Sequence, residues 1–235
     1  MMNRQEFEET LVDPCCMDFW MYKSKDEVVE LLGTDVGNMV GFDQRNPHHC
    51  FDLFSHSLKT VESIRMRTQE MPATEQFILL CSAFFHDIGK IACAKEKDGR
   101  LVFYGHAIKS AEIARTILAQ LGCSPMESEA ICFLIAHHDD FISFVTPQEF
   151  QKTHNRHYIV ISEHNIIQHI CATETVLANS ADWYNRNLWK KLCILCQADV
   201  DSQAASVVFR GQVVTSRKLK QAKLAMIQSI IMQMQ

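Results

Sequence analysis

From Phe77 to Lys90 the chain reads FILLCSAFFHDIGK. Residues 77–88 are nearly all apolar, which suits a central helix buried on most of its sides. The run ends in His86-Asp87. A carboxylate at the end of so apolar a helix is costly to bury unless it has a partner, and a divalent metal is the simplest one. Successive helix residues point about 100° apart, so the two side chains can converge on one ion only where the helix ends. Gly89 is expected to let the backbone turn tightly there, and Lys90 to place a cation near a bound phosphate.

Helical signals extend in both directions from this stretch. Ser24 to Glu27 forms a capping box, and Gly33 ends the helix that it starts. Residues 34–47 are rich in Gly, Asn and Pro and read as loop. Leu53, Phe54, Leu58, Val61 and Ile64 repeat with helical spacing. Asp98-Gly99 predicts a small hairpin. A helix over 105–121 is followed by Gly122 as its cap, and Ser124-Pro125-Met126-Glu127 starts another that runs to about His138. Residues 141–165 are polar and ambiguous between lid and loop. Further helices are expected near 165–180, 185–203 and 216–234. The fold class is all-α, in a single domain.

Composition narrows the function. The chain has 235 residues, 47% hydrophobic and 22% charged, with 5 prolines. That length buries roughly 70% of the unfolded surface and excludes a disordered protein. The net charge of −5, with no Lys/Arg cluster, argues against a surface that coats nucleic acid. It leaves room for one phosphorylated ligand in a local basic pocket. Ten cysteines are too sparse over this length for a disulfide scaffold. MMNRQEFEET lacks the apolar stretch of a signal peptide, and no run of 18 apolar residues predicts a membrane span. A reduced, cytoplasmic protein is expected. Cys193 and Cys196 lie within an apolar helical pattern and read as buried thiols.

Eleven histidines are present, several beside apolar helix residues. His56, His86-Asp87, His106, His137-His138 and Asp199 each fall on or at the end of a predicted helix. Imidazole with carboxylate suits iron, manganese, zinc, cobalt or nickel better than magnesium, which stays compatible. Four histidines and two aspartates exceed the four ligands of a closed structural zinc. They suffice for two ions sharing Asp87. Paired ions about 4 Å apart suit phosphate-ester hydrolysis. His48, His49, His154, His157, His164 and His169 read as ordinary core or surface residues.

The ordered set His56, His86-Asp87 and Asp199 resembles the HD-domain superfamily of metal-dependent phosphohydrolases. The strings Asn46-Pro47-His48-His49, FDLFSHSL at 51–58, FFHDIGK, DGRLVFYGHAIKSAEIA and LIAHH are similar to the HD domain of bacterial CCA-adding tRNA nucleotidyltransferases. That similarity runs from about 43 to 140, with a weaker tail to Asp199. The resemblance implies an HD domain over 46–205, an N-terminal helical extension over 1–45, and a C-terminal helix over 206–235 packed on the domain. It implies a first metal on His56, His86, Asp87 and Asp199. A second would sit on His106 and one of His137 and His138, of which His137 is favoured. Asp87 would bridge, a metal-activated water would attack phosphorus, and Lys90 and Lys109 would steady the phosphate. The nucleotidyltransferase head is missing: no Gly-Ser with paired acids precedes the domain, and 45 residues are too few to hold it. The implied activity is therefore that of a phosphodiesterase or phosphatase on a nucleotide. A non-catalytic module that binds a nucleotide or RNA is the alternative. The expected partner is a small phosphorylated molecule, with neither membrane nor nucleic acid indicated by charge.

Overall fold

The computed structural model describes residues 1–13, 15–153, 155, 157–176, 182–209 and 212–234. The chain runs α1 (Arg4–Val12), α2 (Cys16–Met21), α3 (Lys25–Leu32), α4 (Thr34–Gly37), α5 (Leu53–Arg67), α6 (Ala73–Phe85), α7 (Lys90–Cys93), β1 (Lys95–Lys97), β2 (Arg100–Val102), α8 (His106–Leu121) and α9 (Pro125–His137). There follow β3 (Phe144–Val145), α10 (Pro147–Thr153), β4 (Ile159–Val160), α11 (Glu163–Val176), α12 (Asp182–Asp201), β5 (Val207–Phe209), β6 (Gln212–Val214) and α13 (Ser216–Gln233). The class is all-α. The expectation for His154, and the end of the helix expected to reach 180, lie outside the described residues.

Helix α6 is the centre, with α1, α5, α8, α9 and α12 packed around it. Phe77, Leu80, Phe84 and Phe85 have no exposed surface. Each contributes on the order of 1.5–3 kcal/mol by leaving water, which is why a helix apolar on nearly every side is stable here. The stretch Ala73–Cys93 is long and apolar enough to cross a membrane, but most of it is buried inside the protein as this core. The N-terminal helices share the same core. Phe7 packs edge-on against Phe84 with ring centroids 5.2 Å apart, and Trp20 lies against both.

Local rules explain most of the element ends. Ser24 and Ser124 cap α3 and α9 in capping boxes with Glu27 and Glu127. Gly122 closes α8 at φ 83°, a conformation that favours glycine. Asp98 and Gly99 both take positive φ and join β1 to β2 as an antiparallel hairpin.

Three expectations need correction. Residues 34–47 contain the short α4 before the loop begins. Residues 141–165 are not a plain loop. Phe141, Phe144, Val145 and Ile161 are buried, and β3 pairs with β4 in parallel. Gly89 has an ordinary φ of −74° and turns no corner that another residue could not. A Cβ on it would meet Ser110 N at 2.5 Å and His106 O at 2.7 Å. Glycine is needed because α8 lies against the backbone there, which brings His106 to Asp87.

Candidate metal centre

Three histidines sit at helix ends and share one arrangement. His86 follows α6, His138 follows α9, and His106 opens α8. Each Nδ1 lies on the carbonyl three residues before it. His86 meets Ala83 O at 2.8 Å, His106 meets Phe103 O at 2.9 Å and His138 meets Ile135 O at 2.7 Å. A carbonyl can only accept, so Nδ1 carries the proton and donates. Each ring, when neutral, aims a bare Nε2 lone pair at the cluster. Histidines that bind metals are commonly oriented by such an outer hydrogen bond.

Asp87 lies between two groups of these nitrogens. Its Oδ2 is 3.4 Å from His56 Nε2 and 3.2 Å from His86 Nε2. Its Oδ1 is 3.0 Å from His106 Nε2 and 3.5 Å from His138 Nε2. Asp199 completes the first group, with Oδ1 3.0 Å from His56 Nε2 and 3.7 Å from His86 Nε2. Asp139 completes the second, with Oδ2 3.3 Å from His106 Nε2 and Oδ1 3.7 Å from His138 Nε2. Ligand atoms of His56, His86 and Asp199, of His86, Asp87 and His138, and of His106, His138 and Asp139 are close enough to share an ion.

The cluster is not satisfied by its own hydrogen bonds. His56 Nε2, His86 Nε2, Asp87 Oδ1 and Asp199 Oδ1 are buried with no hydrogen-bond partner among the described residues. The contacts above are close but not directed as hydrogen bonds. His106 Nε2 and His138 Nε2 face each other at 3.2 Å, although both rings already donate from Nδ1. Two lone pairs at that distance need a cation between them. These orphaned atoms fit divalent metal.

Burial alone would lower His86, but Asp87 and Asp199 raise it to about 10, so those carboxylates call for positive charge at its Nε2, either a proton or a metal ion. Burial would raise Asp87, yet His86 and Lys90 hold it well below the carboxylate range. Asp199 is held low against its own burial by His56 and His86. The carboxylates stay ionised and the pocket attracts positive charge.

Of the expected site residues, the structure brings together His56, His86, Asp87, His106, His138, Asp199 and Lys90. It leaves two apart. His137, the favoured choice, points away: its Nδ1 is 2.9 Å from Asp140 Oδ2, and its ring lies on Phe133. One step along α9 turns the side chain by a quarter circle, so only His138 faces Asp87. Lys109 pairs with Glu112 at 2.9 Å and is well exposed. Three residues after His106 it lies about 60° round α8, enough for its long side chain to reach Glu112 and solvent instead of the cluster.

Lys90 is almost fully buried, with Nζ 2.6 Å from Asp87 Oδ2 and 2.9 Å from Gln44 Oε1. Four residues at the site were missed. Asp139 directly follows the His137-His138 pair, which was the available signal. His49, read as ordinary, packs edge-on against His56 at 4.9 Å, and burial with Lys90 lowers it to about 2. Lys220 and Lys223 carry no local signal. All four line one cleft of about 380 Å³ with Phe103, Phe141 and Leu224 above the cluster. The family model described as HD domain matches residues 53–200. No curated protein matches the chain.

Proposed function

The chain belongs to the HD domain family, and we propose on that premise that it is a metal-dependent phosphohydrolase acting on a nucleotide or related phosphate ester. One observation carries the reading: buried imidazole nitrogens and carboxylate oxygens converge on both sides of Asp87 with nothing among the described residues to satisfy them. His56, His86, Asp87 and Asp199 would hold one ion, and His106, His138, Asp87 and Asp139 a second. Iron, manganese, nickel, cobalt or zinc suits these ligands. Bound there, the metal supplies Lewis acidity and lowers the pKa of water.

The chain's own side chains supply orientation. Lys90 anchors Asp87 Oδ2 while donating also to Gln44 Oε1. The carbonyls of Ala83, Phe103 and Ile135 fix three rings in one tautomer. Phe103, Phe141 and Leu224 give the cleft an apolar wall that limits water. The motif strings similar to the HD domain of CCA-adding enzymes support a nucleotide as the ester.

The test is elemental analysis of freshly purified protein, with a panel of nucleotide and cyclic-nucleotide esters. Expected are bound transition metal and phosphate release, both lost in Asp87→Asn with helicity kept. Metal without turnover across the panel would favour a binding module. A metal-free protein that manganese and nickel do not stabilise would overturn the reading.

A further inference from the structure

The HD match ends at residue 200, yet the cleft above the cluster continues onto α13. Lys220, Lys223 and Leu224 lie on one face of that helix, three and four residues apart, and all line the cleft. Leu224 is buried and seats the helix. The two lysines are the unusual part. Like charges one turn apart disfavour a helix, and burial adds a cost for each ammonium.

Lys220 has no carboxylate within ion-pair distance among the described residues. Its Nζ donates to the neutral Oε1 of Gln203 at 2.5 Å. Gln203 Nε2 in turn donates to Asp199 Oδ2 at 3.1 Å. Lys220 thus stands two hydrogen bonds from a proposed metal ligand, with ammonium protons to spare. Burial lowers its pKa, while Asp199 and Asp139 oppose that. Among the described residues Lys223 has a loose ion-pair contact with Glu149, at 3.7 Å. Opposite them, Lys90 is occupied by Asp87 and Gln44, so it is not free to take a second anion. Phe103, Phe141 and the well-exposed Ile142 form the apolar side of the same cleft.

We propose that Lys220 and Lys223 form a second phosphate subsite, so that the preferred substrate is an organic diphosphate or polyphosphate rather than a monoester. This rests on the phosphohydrolase reading. The reacting phosphate lies at the cluster, the neighbouring phosphate meets the two ammonium groups, and the organic part rests on Phe141 and Ile142. A lysine acts as a compact point charge with three donors, which suits a phosphate of variable orientation. The cleft volume is within the roughly 300–1,000 Å³ of small-molecule sites.

The test compares inorganic pyrophosphate with inorganic phosphate by calorimetry on the protein as purified, and a nucleoside diphosphate with its monophosphate in steady-state hydrolysis. Pyrophosphate should bind at least about tenfold more tightly, the scale of one charge-assisted hydrogen bond. Lys220→Gln and Lys223→Gln should each remove most of that preference, raising KM for the diphosphate more than KM for the monophosphate. Lys220→Arg should retain it. A nucleoside diphosphate that binds more tightly than pyrophosphate places the organic part on the apolar wall. Equal affinity for the two anions, or Gln variants that behave as wild type, overturns the proposal. So does a Lys220→Gln protein that loses metal and kcat on every ester, because that marks a purely structural tie to Asp199. Lys223 keeps 20% of its side chain exposed and has no hydrogen bond to a proposed metal ligand among the described residues, so its variant remains informative if Lys220→Gln fails to fold. Lysine-dependent pyrophosphate binding without turnover of any ester keeps this subsite and rejects hydrolysis instead.

Discussion

Replacing Gly89 with alanine tests whether close approach of α8 builds the second half of the metal centre. Gly89 has φ −74° and ψ −10°, which any residue accepts. Backbone entropy alone therefore favours alanine by about 0.4–1 kcal/mol. Sterics oppose it. The new Cβ would lie 2.5 Å from Ser110 N, 2.7 Å from His106 O and 2.8 Å from Lys109 C, all backbone atoms that no rotamer can move. Nonbonded heavy atoms prefer about 3.5–4.0 Å, so α8 must retreat by roughly 1 Å. The retreat also breaks the Gly89 N–H donation to Ser110 Oγ at 2.9 Å. Overpacking of this kind costs about 1–3 kcal/mol, which exceeds the entropic gain. At about 2–4 °C per kcal/mol for a chain of this size, the melting temperature should fall by several degrees. His106 moves with α8, away from Asp87 Oδ1 at 3.0 Å. A 1 Å misplacement can cost about 10²-fold in rate. Thermal unfolding, metal per chain and turnover read the effect. A Gly89→Ala protein that melts at or above wild type, with full metal and full turnover, would refute the reasoning.

His138→Ala should lower metal content and abolish most activity, whereas His137→Ala should leave metal in place and cost stability only; metal analysis of both variants decides, and equal losses would contradict the assignment. Lys109→Ala should leave kcat and KM within about twofold, since exposed lysine pairs contribute little, and steady-state kinetics would reveal a larger role. Glu127 Oε1 accepts from Arg4 Nε at 3.0 Å and Nη2 at 2.8 Å, while Oε2 accepts from Ser124 N at 2.9 Å. Burial would raise its pKa, but these partners lower it below the model-peptide 4.5. A depressed carboxylate stabilises fully above its unfolded pKa and loses that contribution as pH falls through the folded one. Glu127→Gln should therefore cost about 1 kcal/mol near neutral pH, a deficit in denaturation midpoints that shrinks below about pH 4.

The helices were legible because their signals are local. Capping boxes at Ser24 and Ser124, the glycine at 122 and the apolar period of 53–64 each depend on a few neighbours in the chain. So was most of the buried histidine–aspartate cluster, since a histidine or aspartate amid apolar helix residues conflicts with burial unless it has a partner. The choice between His137 and His138 was not legible. It turns on where α9 ends, and one residue of shift swaps which ring faces inward. Lys109 was placed by its turn-on-turn spacing from His106, which brings it near that face but does not fix where a long side chain reaches, and it pairs outward with Glu112. The role of Gly89 was misread because a close approach and a tight turn leave the same letter in the sequence. Lys220 and Lys223 look like solvated lysines on an amphipathic helix until α13 is laid across the cleft.

The cluster's composition also argues against a purely structural role for its histidines. A structural network of imidazoles and carboxylates would pair each acceptor with a donor. His137, Asp140 and His169 do this a few residues away: Asp140 Oδ2 lies 2.9 Å from a nitrogen of each ring, and burial is offset by both histidines, which keep the carboxyl low. Around Asp87 the same residue types are arranged the other way. The proton of each helix-end ring is spent on a carbonyl outside the cluster, and the lone pairs are turned inward upon one another. Protonating the rings would supply the missing donors, but it would place several positive charges within a few ångströms of each other in a buried pocket. One or two small divalent ions meet the same demand with fewer centres of charge. That contrast, between a histidine–aspartate group that satisfies itself and one that cannot, separates a packed polar network from a cluster fitted to hold metal in this chain.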